Sequence, residues 1–186
     1  MEKAGRLADE RRDPRVESFA PIVGEDPRLL ILGSMPGSRS LEAGEYYAHP
    51  RNRFWAILEA LDLIPPCLPY EKRTMAVAAR GIALWDVLHS CERPGSLDAS
   101  IVEATEVAND IAGLLRRHPC IRAIAFNGAK AENAFRRHVT PSLLQETRQR
   151  LKMLRLPSTS PAHAISMERK AEAWRWILQY LDPLRT

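Results

Sequence analysis

Leu29-Leu30-Ile31-Leu32 places four aliphatics in a row with no polar alternation, the pattern of a strand buried on both faces. Gly33-Ser34-Met35-Pro36-Gly37 ends that strand abruptly, where a ligand can approach the backbone. Three further apolar runs, residues 82–88, 121–126 and 152–156, predict strands, the last of them the weakest pattern. Between them the spacing changes to that of helices. Phe54, Ile57, Leu58 and Leu61 mark a helix over 53–61 that Pro65-Pro66 closes, and an Ala- and Lys-rich stretch over 70–80 is cut by Gly81. Ile111, Leu114 and Leu115 mark a helix within 107–118, residues 129–138 form a short one, and 166–180 form a long terminal helix. Ser166 is its expected N-cap, with Glu168 in the first turn. The alternation βαβαβαβα predicts a single three-layer α/β domain over residues 21–186, with a four-stranded, mostly parallel central sheet flanked by helices. Residues 1–20 are charged without periodicity and read as a loosely ordered arm.

Composition narrows this modestly. The chain has 186 residues, 45% of them hydrophobic, enough for one substantial core. Its 27 Lys and Arg against 23 acids leave a formal charge of +4, which mildly favours a polyanionic partner. Cys67, Cys91 and Cys120 are far apart, without the spacing of a zinc or iron–sulfur site, and suit reduced thiols in a cytosolic protein. The amino terminus lacks an apolar signal core and no stretch has the length of a membrane span, so a soluble, cytoplasmic protein is expected, nucleoid-associated in a prokaryote. It is expected to act as a monomer and to need no metal.

In a parallel sheet the loops after the strands converge on one edge, and that edge is where open α/β sheets bind ligands. Here it gathers the glycine-bounded turn at 33–37, the carboxylate of Asp86, the amides of Asn52 and Asn127, and the hydroxyls of Ser158, Thr159 and Ser160. The signatures of P-loop, dinucleotide, serine-hydrolase and zincin chemistry are all missing from the sequence. A polar site without an obvious nucleophile suits a dissociative, cationic transition state that needs a placed water and electrostatic help. Cleavage of an N-glycosidic bond is such a reaction.

The motifs Gly33-Ser34-Met35-Pro36-Gly37, Tyr46-Tyr47-Ala48-His49-Pro50-Arg51-Asn52-Arg53-Phe54-Trp55, Gly81 to Leu88, Phe126-Asn127-Gly128 and Leu156-Pro157-Ser158-Thr159-Ser160-Pro161-Ala162 resemble the uracil-DNA glycosylase superfamily. Within it they most resemble the hypoxanthine-DNA (deoxyinosine) glycosylase branch, over roughly residues 28–180. The resemblance implies a four-stranded parallel sheet, no cofactor, and a nucleotide flipped out of DNA into the cleft where the strand ends converge. It implies a monofunctional enzyme that removes hypoxanthine and other deaminated bases from DNA in base excision repair. Most members place an Asp or Asn in the first motif, where this chain has Ser34 or Met35. In the hypoxanthine branch the catalytic role falls to the Asn of the H-P-x-N-x-F-W stretch, which is Asn52 here.

Each of these residues also has a plainer reading. An amide has no basicity at neutral pH, so Asn52 would act by orienting a water through its carbonyl oxygen; it equally suits the cap of the helix starting at Arg53. Asp86 aligns with a base-reading position, and an ionised carboxylate there accepts the N1–H of hypoxanthine and opposes the N1 lone pair of adenine; it also suits the end of a strand. Asn127 bonds either the base or a turn. Tyr47, Phe54 and Met35 are candidates to contact the flipped base, and of the adjacent Tyr46 and Tyr47 one should face the pocket. Gly33, Ser34, Gly37, Ser158, Thr159 and Ser160 are candidates for phosphate contacts, and His163 stands where relatives insert a wedge into the base stack. Two other functions compete: a uracil or mismatch-specific uracil glycosylase, and a lesion-binding module without activity.

Overall fold

The computed structural model describes residues 15–95 and 97–181. Strands β2 (Leu29–Gly33), β3 (Ile82–Asp86), β6 (Ala123–Asn127) and β7 (Lys152–Leu156) form a four-stranded sheet in the order β3-β2-β6-β7. Every pairing in it is parallel, and the registers bring Gly33 opposite Asp86 and Asn127 opposite Leu156. β2 and β3 are buried along their whole length, as their unbroken apolar sequence requires. The alternation of side chains then divides the core. Leu30 and Leu32 face Leu114, Phe126 and Phe135 on one side of the sheet, and Leu29 and Ile31 face Phe54, Ile57 and Trp174 on the other.

Helices cover both faces. They are α1 (Ser38–Ala43), α2 (Phe54–Ala60), α3 (Tyr70–Ala79), α4 (Ile111–Arg117), α5 (Ala129–Ala134), α6 (Gln145–Arg150) and α7 (Met167–Trp174). α5 continues as a π-turn and α7 as a 3₁₀ segment, Arg175–Tyr180. The Ser166 hydroxyl accepts from Arg169 N at 3.3 Å, so the expected N-cap is formed. No described helix is long and apolar enough to cross a membrane.

Three boundaries differ from the sequence expectation. The run 82–88 is not one strand: Val87 N bonds Gly33 O at 2.9 Å and Leu88 N bonds Ser34 O at 3.1 Å, after which the chain leaves the central sheet as β4 (Leu88–Glu92). β4 lies in a second, antiparallel sheet between β1 (Arg15–Glu17) and β5 (Val107–Ala108). Residues 107–108 therefore belong to a strand, and α4 starts at Ile111, where Asp110 caps it through Gly113 N at 2.8 Å. Residues 15–20 are part of the fold and not of a loose arm. They pair with β4, and Phe19 O accepts from Trp85 Nε1 at 2.9 Å, while Ile22 bridges Leu84 and so covers the outer edge of β3. The rest of the expected arm, residues 1–14, lies outside the described residues.

Candidate active site

The carboxyl ends of β2, β3, β6 and β7 open into one cleft of about 670 Å³. The convergence of loops follows from the parallel sheet, and Gly33 shows how closely the walls approach. A Cβ there would overlap Asp86 Oδ1 and lie 3.1 Å from Tyr47 Oη, so only glycine leaves room for both side chains. Gly33 is thus a spacer beneath the site. Its carbonyl accepts from Val87 N, which ties the turn to the segment after β3.

Asp86 is 3% exposed, and its Oδ2 has no hydrogen-bond partner among the described residues. Burial, reinforced by the charge of Asp98 and opposed by Arg93, pushes its carboxyl up to about 8. At neutral pH the group is mostly protonated. In that form the carboxyl donates as well as accepts, where the ionised carboxylate expected from the sequence only accepts. The Tyr47 hydroxyl is the other orphan in the cleft wall, buried with no well-formed hydrogen bond among the described residues although the Asn127 amide lies beside it, its pKa raised by burial and by the nearby Asp86 and lowered by Asn127. Tyr47 is held in the left-handed backbone region, φ 56°, a strained conformation that presents its ring to the cleft.

Phe54 is corrected. It is fully buried and stacks behind Tyr47 with ring centroids 4.0 Å apart, so it supports the cleft wall and does not line it. Tyr46 is the core member of the pair, its hydroxyl donating to Ala20 O at 3.1 Å. Met35 lines the cleft while most of its side chain is packed into the core.

Asn52 lines the cleft, and its Oδ1 accepts from Phe54 N at 3.0 Å. The expected cap is corrected to an Asx turn just before α2, whose N-cap is Arg53 with no side-chain cap bond, and the hydrogen bond fixes the amide with one lone pair of Oδ1 left over. Asn127 is held by Thr159 on both sides of its amide: Nδ2 donates to Thr159 Oγ1 at 2.9 Å, and Oδ1 accepts from Thr159 N at 2.8 Å. One Nδ2 hydrogen remains. Thr159 itself is fully buried and its hydroxyl is engaged, so the expectation of a phosphate contact there is corrected to a strut between loops.

Ser158 and Ser160 are half-buried on the rim, where Ser158 Oγ accepts from Ser160 N at 3.2 Å and Ser160 Oγ from Ala162 N at 3.3 Å. Each hydroxyl keeps its own proton to give. His163 is exposed on the same rim, near Arg39, Arg51 and His49. Gly37 is the N-cap of α1 and half-buried at the cleft. Ser34 does not face phosphate, because its hydroxyl donates to Asp98 Oδ2 at 2.5 Å.

Asp98 was not found by the sequence reading. It sits on the 3₁₀ turn Asp98–Ser100 and lines the cleft beside Asp86. Its local sequence, Gly95-Ser96-Leu97-Asp98, carries no signal beyond a turn. Lys130 also reaches the cleft, with its Nζ engaged by Glu106 at 2.6 Å. Among the described residues no group of three or more His, Cys, Asp or Glu is placed to hold a metal ion.

A model of the Uracil DNA glycosylase superfamily matches residues 21–181 of the chain. A Methanosarcina acetivorans protein named hypoxanthine DNA glycosylase is 37% identical over 114 residues, 61% of this chain and 71% of its own. A Methanosarcina barkeri protein of the same name is 35% identical over 118 residues, 62% of this chain and 72% of its own. A solution NMR structure from Methanosarcina acetivorans, provisionally described as a uracil DNA glycosylase, superposes with a TM-score of 0.71 at 29% identity, covering 90% of this chain and 98% of that one.

Proposed function

The chain belongs to the uracil DNA glycosylase superfamily and is a DNA glycosylase, and from that premise we propose that it is a monofunctional enzyme releasing hypoxanthine from deoxyinosine in DNA, as a step of base excision repair. The observation that supports this reading is the pair of buried polar atoms without partners among the described residues, Asp86 Oδ2 and Tyr47 Oη, in a cleft at the carboxyl ends of the central sheet. Buried polar groups are nearly always satisfied, so two orphans in one cleft mark the place of a polar ligand.

Hypoxanthine presents an N1–H donor beside the O6 acceptor. A protonated Asp86 offers the matching pair, its C=O to N1–H and its O–H to O6. Adenine offers the reverse pattern, N1 acceptor and amino donor, which a neutral carboxyl meets by turning over and an ionised one does not. At neutral pH the choice of lesion over adenine then leans on flipping, because a mispaired base leaves the stack at lower cost than one in a normal pair. Uracil carries the same donor–acceptor edge at N3–H and O4, and it is the second substrate favoured by Asp86.

In the reaction the sugar becomes cationic as the base leaves, and a water adds at C1′. Asn52 orients that water through the lone pair of Oδ1 that Phe54 N does not use. Its contribution is positional. Ser158 and Ser160 donate to the phosphates flanking the flipped nucleotide, with Arg39, Arg51, His49 and His163 supplying a polar, largely basic rim. Lys130, engaged by Glu106, does not offer a free amine for a Schiff base, which supports a glycosylase without lyase activity.

Duplexes carrying a single deoxyinosine or deoxyuridine, incubated with the protein and then treated with alkali, test the proposal. Strand breaks at deoxyinosine that appear only after alkali are the expected result. Faster release of uracil would move the substrate to the second reading, and release of neither base would overturn the activity.

A further inference from the structure

Two carboxyl groups share the cleft, and the base-reading role accounts for one of them. Asp98 comes from a turn far along the chain from β2, yet Ser34, the residue next after that strand, donates its hydroxyl proton to Asp98 Oδ2 at 2.5 Å. Ser34 is itself 6% exposed, and its carbonyl is fixed by Leu88 N at 3.1 Å, so the sheet sets the position of the carboxyl. A hydroxyl that donates to one oxygen of a carboxyl favours its ionised form and leaves the other oxygen free. Asp98 lines the same cleft as Asn52 and Asp86.

We propose that Asp98 is a second catalytic carboxylate, held by Ser34 so that its free oxygen stabilises the cationic sugar and accepts the proton of the attacking water. The proposal rests on the glycosylase reading above. The C1′–N9 bond breaks with its electron pair passing to the base, the water oxygen bonds to C1′, and the proton it sheds goes to Asp98 and on to solvent. The base anion takes its proton from solvent. Asn52 then orients the water and Asp98 supplies the charge, a division that fits an amide and a carboxylate.

The electrostatics agree with this assignment. Asp98 is close enough to Asp86 for its charge to help keep Asp86 protonated, and the hydrogen bond from Ser34 favours the ionised form of Asp98. Asp98 as a residue is exposed, yet desolvation of its carboxyl in the cleft raises its pKa above the usual carboxylate value, and the Ser34 hydrogen bond, Arg93 and Lys130 limit the rise. Arg93 is 2% exposed, its Nε donates to Gly95 O at 3.3 Å, and its Nη1 has no partner among the described residues. Its positive charge acts on both carboxyls.

Asp98→Asn tests the charge without removing the anchor, since the amide oxygen still accepts from Ser34. Single-turnover base release should fall about 100-fold or more. A duplex carrying a cationic pyrrolidine in place of the lesion sugar should bind wild type more tightly than one carrying neutral tetrahydrofuran, and this preference should vanish in Asp98→Asn while neutral-analogue binding stays unchanged. Wild-type release by the variant, or an unchanged preference for the cation, would overturn the proposal. Loss of neutral-analogue binding would also overturn it, by making Asp98 structural. A wild type that releases uracil and not hypoxanthine sinks the substrate reading alone, and the same comparison is then run on uracil; one that releases no base sinks both.

Discussion

Asn127 and Thr159 exchange two hydrogen bonds, side-chain amide to hydroxyl at 2.9 Å and backbone N–H to amide oxygen at 2.8 Å. The pair ties the end of β6 to the loop after β7. Arg53 N donates to Thr159 O at 3.0 Å and brings the segment holding Asn52 into the same unit. The residues assigned to the water, the base and the phosphates are therefore positioned by one polar knot and not by three independent loops.

Thr159→Val keeps the shape of this knot and removes the hydroxyl, leaving Asn127 Nδ2 without its acceptor. Unfolding in urea should show a loss of about 1–3 kcal/mol, and Thr159→Ser should recover most of it. Base release by the valine variant should slow more than its stability loss explains, because the Asn52 and Ser158 segments both hang on Thr159. Equal rates in wild type and variant at a temperature where both are folded would count against the knot.

The central sheet was legible because its strands are short apolar runs, whose burial is written into adjacent residues. β1 and β4 were not, since their patterns, Arg15 to Glu17 and Leu88 to Glu92, are exposed or mixed and pair with each other across more than 70 residues. The candidate site divides along the same line. Asn52, Asp86 and Tyr47 sit in distinctive motifs, and the superfamily and the fold were both readable from them. Asp98 lies in an ordinary turn, and what singles it out is a hydrogen bond to Ser34 across 64 residues. Phe54 failed as a base contact for a simpler reason: an aromatic at the start of an amphipathic helix goes to the core, and here it stacks on the ring that faces the cleft.

Gly33→Ala should leave a folded protein with an altered site. The added methyl overlaps Asp86 Oδ1 and approaches Tyr47 Oη to 3.1 Å, so one or both side chains must move into the space the base would take. Single-turnover release of hypoxanthine should drop about 100-fold or more, the scale on which small displacements in a positioned site act. Far-ultraviolet circular dichroism should remain that of the wild type.

Asn52 carries an Asx-turn hydrogen bond and a proposed catalytic role on one oxygen, and two variants separate them. Asn52→Ala removes both, with a stability loss of about 0.5–1.5 kcal/mol and loss of turnover. Asn52→Ser restores a turn-forming oxygen but cannot place it where the longer amide does. The expected outcome is near-wild-type melting of the serine variant with turnover still lost; turnover that returns along with the turn would reduce Asn52 to a structural residue.

Asp86 makes the protein's stability depend on pH in a direction opposite to that of most carboxylates. Its folded pKa of about 8 lies above its ordinary value of 3.8, so between these values the folded state holds a proton that the unfolded state has lost. The stability contributed by this proton is complete below about pH 4 and is lost as pH rises towards 8. Asp86→Asn fills the same space without ionising. It should be more stable than wild type at pH 8, by an amount on the order of 5 kcal/mol at most, and the gap should close as pH falls towards 4. The groups that face Asp86 decide how sharp this is: Asp98 raises its pKa and Arg93 lowers it, so Asp98→Asn should shift the wild-type dependence to lower pH. Recognition should follow the same titration. Ionised Asp86 opposes the N1 lone pair of adenine, so the ratio of deoxyinosine to deoxyadenosine cleavage should rise between pH 7 and pH 9 in wild type. In Asp86→Asn, whose amide always donates and accepts, that ratio should stay flat, and a ratio that still climbs would place the titrating group elsewhere.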